Sequence, residues 1–167
     1  MRGFNIALLN YTTEIKVDKT LIEIEKMLVD AGAQRILKEY DTDGNITTLS
    51  FMIQTDKGLI PIRMPMNVKA VMQVINTQTD EYTKSRSGSR LKVPKRYYND
   101  WEQARRVGWR IIKDWLESQL ALIQLQMVKI QEIFLPYIIG IDGKTVYENI
   151  ESQGFKGYLL EHKRDDN

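Results

Sequence analysis

The chain has 167 residues, 43% of them hydrophobic, and a formal net charge of only +2, which suits one domain with a core of ordinary size. It contains no cysteine, which excludes a disulfide framework, a thiol nucleophile and a zinc ribbon. No stretch reaches the roughly 20 apolar residues of a membrane span, and the apolar run at 6–9 is too short for a signal-peptide core, so a soluble intracellular protein with no membrane partner is expected.

Residues 10–17 alternate, with Tyr11, Thr13, Ile15 and Val17 on one face and Thr12, Glu14 and Lys16 on the other, as in a half-buried strand. Asp18 is placed to cap a helix, with Val17 and Ile22 as its hydrophobic staple. Leu21, Ile24, Met27, Leu28 and Ala31 then recur at helical spacing, and Gly32 closes the helix. A strand over 34–40 leads to the hairpin turn Asp41-Thr-Asp43-Gly44-Asn45. The strand at 46–55 points Leu49, Phe51 and Ile53 inward, Asp56-Lys57-Gly58 turns the chain, and 59–64 alternates Ile60, Ile62 and Met64. Pro61 cannot donate to a ladder, which predicts an edge position. Asn67 caps a helix presenting Val68, Val71, Met72 and Ile75. Residues 1–77 therefore read as a β-α-β-β-β-α module, an antiparallel sheet with helices on one face, of the α+β class.

Residues 78–98 are polar, basic and Ser/Gly-containing, a long loop of the kind that usually carries function. Asp100 starts the longest helix, with Gln103 at the capping-box position. Ala104, Val107, Ile111, Trp115, Leu122 and Leu125 form its apolar stripe; Ile112, Leu116, Leu120 and Ile123 widen it past one face. That surplus points to a homo-oligomer contact through residues 101–125. A break near 127–129 precedes a short helix ending at Phe134, Gly140–Gly143 is a turn, and Thr145 with Glu148 is a capping box for a last helix that Gly154 closes. Residues 99–167 thus form a helical C-terminal part, a long helix and short ones, packed on the sheet module within one domain.

Charge is distributed unevenly. Residues 84–113 hold ten basic side chains (Lys84, Arg86, Arg90, Lys92, Lys95, Arg96, Arg105, Arg106, Arg110 and Lys113) against Asp100 and Glu102, a net +8. The chain total is +2, so the other 137 residues carry −6. Tyr97, Tyr98, Trp101 and Trp109 lie in the same window. Clustered cations meet phosphates, and aromatics among them stack on unpaired bases, so these fourteen residues are the candidate nucleic-acid-binding set. A competing reading uses the same residues structurally: Glu102 pairs with Arg106 and Arg110 with Asp114 at i, i+4, and the aromatics seal the helix start.

Other motifs carry no chemistry. Asp41–Asn45 lacks the glycine placement and distal glutamate of a calcium loop. Glu14-Ile-Lys16 lacks the preceding acid of a metal-dependent nuclease. His162, the sole histidine, lies in the charged tail, and no P-loop or GxGxxG is present. No catalytic residue, metal site or cofactor is expected, and the chain reads as a non-enzyme.

Two runs carry a resemblance. One is Asn10-Tyr-Thr-Thr-Glu-Ile-Lys-Val-Asp-Lys-Thr-Leu-Ile-Glu-Ile-Glu-Lys-Met-Leu-Val-Asp-Ala-Gly-Ala33. The other is the helix at 103–125, with Arg105-Arg-Val-Gly-Trp-Arg-Ile-Ile-Lys-Asp-Trp115, followed by Ile133-Phe-Leu-Pro-Tyr137. Together the chain resembles small accessory proteins carried by bacteriophages and prophages, a family without an assigned activity. The resemblance implies a viral protein acting in the cytoplasm of a host bacterium and carries over no site residue. The expected function is binding of nucleic acid, single-stranded DNA first. The alternatives are an anti-defence protein that inhibits a host immune enzyme or sequesters a nucleotide signal, and a structural or assembly protein.

Overall fold

The structure, a computed structural model, describes residues 8–84 and 95–155, the side chains of 79–84 and 95 excepted. It is α+β. In chain order the described residues form α1 (Val17–Asp30), β1 (Ala33–Tyr40), β2 (Ile46–Thr55), β3 (Gly58–Arg63) and α2 (Val68–Lys84). A 3-10 turn (Lys95–Tyr97), α3 (Trp101–Gln124), α4 (Ile130–Phe134), a second 3-10 turn (Leu135–Tyr137) and α5 (Val146–Gln153) follow.

The alternation at 10–17 is present, but the segment is not a strand. Tyr11, Thr13, Ile15 and Val17 are half-buried and their neighbours exposed. Residues 9–12 are a turn, with Asn10 in the left-handed region and the N–H groups of Tyr11 and Thr13 donating to the carbonyls of Leu8 and Asn10, so the alternation marks which side chains face the core and not a continuous strand. Here the side-chain amide of Gln103 replaces a neighbouring strand, its Nε2 donating to the carbonyls of Tyr11 and Thr13 at 2.8 and 3.0 Å. Gln103 therefore does not reach back to the start of its own helix, although Asp100 Oδ1 accepts from the Gln103 backbone as an N-cap should. The helix α1 also begins two residues early, with Lys16 and not Asp18 at the N-cap and no side-chain cap.

The three strands form an antiparallel meander in the order β1-β2-β3. The strand β2 spans the expected residues and its Leu49, Phe51 and Ile53 are buried. Gly44 takes the left-handed conformation in the first turn, where Asp41 Oδ1 accepts from the backbone of Asp43 and Asn45. Pro61 lies on the edge strand β3, and its carbonyl accepts from Ile139 at 2.9 Å. The chain after α4 thus covers that edge. Phe134 is held there by edge-to-face contacts with Phe51 and Trp115, each at 5.7 Å.

Helix α3 is central, which explains its excess of apolar positions. Trp109, Ile112 and Leu116 join Leu21, Ile24 and Leu28 of α1 over the inner face of the sheet. Ala104 and Val107 close a second cluster with Met72 and Ile75 of α2 and with Tyr97. Ile112 and Leu116 are thus interior residues with no side left for a partner, while Leu125 is exposed. A Cβ at Gly108 would collide with the Met66 side chain, so the glycine permits the close approach of the chain leading into α2. At the far end, the Thr145–Glu148 capping box forms in both directions. Thr145→Ala is expected to cost about 1 kcal/mol, read as a lowered midpoint in a thermal melt.

Candidate nucleic-acid interface

The beginnings of three helices converge on the β1–β2 hairpin. A cleft of about 430 Å³ is lined by Lys16 and Asp18 at the start of α1, Tyr40 and Asn45 of the hairpin, and Glu102, Arg105 and Arg106 of α3. A second, of about 360 Å³, is lined by Asn67 and Lys69 at the start of α2, Trp101 and Arg105 of α3, and the hairpin residues Asp41 and Asn45. The two share Asn45, Ile46 and Arg105, so they form one trough with Arg105 at its middle.

Its electrostatics follow from what is already committed elsewhere. Arg106 is paired with Glu102. Asp41 is held ionised by the turn: the Asn45 backbone N–H is the main cause that its carboxyl lies below the ordinary carboxylate value, and Arg105 adds to it. Lys16, Lys69 and Arg105 have no ion-pair partner among the described residues. Two of these cations stand at the positive end of a helix dipole, Lys16 at the α1 N-cap and Lys69 in the first turn of α2. At α1 the first-turn carboxylate of Asp18 offsets the placement, whereas α2 has no acid in its first turn to offset Lys69. The uncapped start of α1 adds backbone N–H donors facing the same cleft.

The predicted site residues separate into three groups. Trp101 is 47% exposed and lines the trough with Arg105; Tyr98 is exposed nearby in sequence. Arg96 stacks over the Tyr97 ring at 4.8 Å and donates to its hydroxyl. A second group is occupied by the fold. Tyr97 is buried in the α2–α3 cluster, and Trp109 is fully buried under the sheet, so neither ring face is open to a base. Arg110 pairs with Glu23 at 2.5 Å, across to α1 and not with Asp114, and Lys113 pairs with Glu117 at 2.6 Å. In the third group, Arg86, Arg90 and Lys92 lie outside the described residues, as does His162. Lys84 ends α2, which runs beyond the expected start of the loop, and Lys95 opens the 3-10 turn; their side chains are likewise outside the described set.

Lys16, Lys69, Tyr40 and Asn45 were not among the predicted residues. The two lysines did carry a local signal, since each is a cation at a helix start. Among the described residues no helix is long and apolar enough to cross a membrane, and no three His, Cys, Asp or Glu side chains gather as metal ligands do. No family model, curated protein or solved structure matches the chain.

Proposed function

We propose that the protein binds nucleic acid, single-stranded DNA first, at the trough centred on Arg105. The observation that carries this reading is the convergence of three helix beginnings, and of three cations without an ion-pair partner among the described residues, along a trough that the half-exposed Trp101 also lines. Phosphates sit against Lys16, Lys69, Arg105 and the free N–H groups of α1. A splayed base stacks on Trp101. The setting in a host bacterial cytoplasm is part of the proposal and rests on the sequence resemblance to phage-borne accessory proteins alone.

Fluorescence anisotropy with a labelled oligonucleotide tests this. Arg105→Ala and Lys69→Ala are each expected to lower the slope of log affinity against log salt by about one. Trp101→Ala is expected to cost ~1–3 kcal/mol with the slope unchanged, because stacking releases no counterion. No anisotropy change at low salt would end the proposal. The bounded size of the two clefts favours a second reading, sequestration of a small nucleotide. Full competition by a mononucleotide at the oligonucleotide's own affinity would select it.

A further inference from the structure

The other edge of the sheet, β1, is open among the described residues. Only Ala33 and Ile36 of its eight residues are even partly buried. Nothing among the described residues pairs with its outer side. Long unprotected edges recruit other strands, and this one carries a self-complementary pattern.

The direction of its free backbone groups follows from the register. Leu49 stands opposite Lys38, and the Leu49 carbonyl is taken on the β3 side by the N–H of Met64 at 2.9 Å. Leu49 therefore turns its backbone groups away from β1, and Lys38 turns its own towards the open edge. By the two-residue period Ile36 does the same, while Leu37 faces β2.

We infer that β1 pairs with β1 of a second copy, antiparallel, about a two-fold axis at Leu37. In that register Ile36 and Lys38 of the two copies exchange backbone hydrogen bonds. Arg35, Leu37 and Glu39 share the sheet face opposite the core. Leu37, 60% exposed, meets its own counterpart, and each Arg35 lies across from a Glu39. A register centred one pair further on, at Lys38, would instead set like charges face to face. The flank of the edge fits the same occupant. Glu25 of α1 reaches Lys38 at 2.8 Å, so its stripe of α1 borders β1. Ile22 and Val29 lie three residues before and four after Glu25, on that stripe, and are 66% and 59% exposed. Pairing brings the two α1 helices together on the core side and covers these side chains. The product is one six-stranded sheet through both copies, closing the β1 edge of each.

Sedimentation equilibrium of the full chain at several concentrations tests the inference, with hydrogen exchange at the amides of Ile36 and Lys38. The expected result is a dimer in which those two amides become protected as concentration rises. R35E places like charges across both arms of the axis and should weaken the dimer about tenfold. E39R should do the same, and the double variant R35E/E39R should restore association, because the pair is exchanged within one chain and only this register rejoins it. Arg35 and Glu39 are exposed, and a thermal melt of each variant checks folding. A monomer at submillimolar concentration overturns the inference, whether or not its edge amides are protected by another segment. A dimer that R35E leaves at wild-type affinity overturns it as well, since the contact would then lie elsewhere.

Discussion

Trp109→Ala is expected to lower the free energy of unfolding by about 3–5 kcal/mol, the largest effect of any single side chain considered for the interface. The indole is fully buried, packed with Ile112 and Leu116 of its own helix, Leu21 and Ile24 of α1, and Leu49 and Phe51 of β2. Its removal leaves a cavity bounded by two helices and a sheet that cannot close together. The indole N–H has no acceptor among the described residues. Trp109→Phe therefore keeps most of the apolar volume and removes an unsatisfied donor, and should cost less than ~1.5 kcal/mol. Denaturant unfolding of the two variants checks the contrast. Equal losses would mean that the nitrogen, not the packing, is what matters. Any loss of oligonucleotide binding in the alanine variant must track the unfolded fraction, whereas Trp101→Ala should bind less while melting as the wild type does.

Gln103→Leu is expected to cost about 2–3 kcal/mol. The side chain is buried and its amide serves the carbonyls of Tyr11 and Thr13 together. Leucine keeps much of the volume and supplies no donor, so two acceptors lose their partner while remaining covered. Amide exchange should accelerate over residues 11–15 and remain slow through β2, whose ladder partners on both sides are intact. A variant with unchanged stability and unchanged exchange would show that water satisfies those carbonyls without loss.

What was legible in the sequence was what neighbouring residues decide. The hairpin at Asp41–Asn45 announces itself through an aspartate that accepts two backbone N–H groups and a glycine with positive φ. Pro61 marks an edge because the missing donor is its own. The Thr145–Glu148 box closes over three residues. The larger failures have distant causes. Residues 10–17 have the period of a strand, yet the partner of the backbone is a glutamine some ninety positions later. The stripe of α3 is wide because the helix has α1 and the sheet on one flank and α2 on the other, which no periodicity within α3 reveals. For the interface, a charge window along the chain mixes residues that the helix turns to different sides. Arg105 opens onto the trough while Arg106, Arg110 and Lys113 are bound by carboxylates, and Trp109 is the core residue that helix aromatics often are. Lys16 and Lys69 come to the same trough from separate helix starts.

The N-terminal segment also sets an order of assembly. Leu8 N–H donates to Gln78, Tyr11 is held by Gln103, Asn10 donates to Asp114, and Glu23 pairs with Arg110. These contacts span 70, 92, 104 and 87 positions, while the β1–β2–β3 meander closes through tight turns. During synthesis the segment emerges ahead of the meander and, apart from Leu8, whose partner Gln78 lies on α2, it meets its partners only once α3 has followed. The meander can form in the meantime at little loop-closure cost, and the segment docks last, over a surface completed by later residues. The same topology makes it release before the sheet on the way to unfolding: a protease acting on the native protein would cut near residues 8–15 before any strand of the sheet opened.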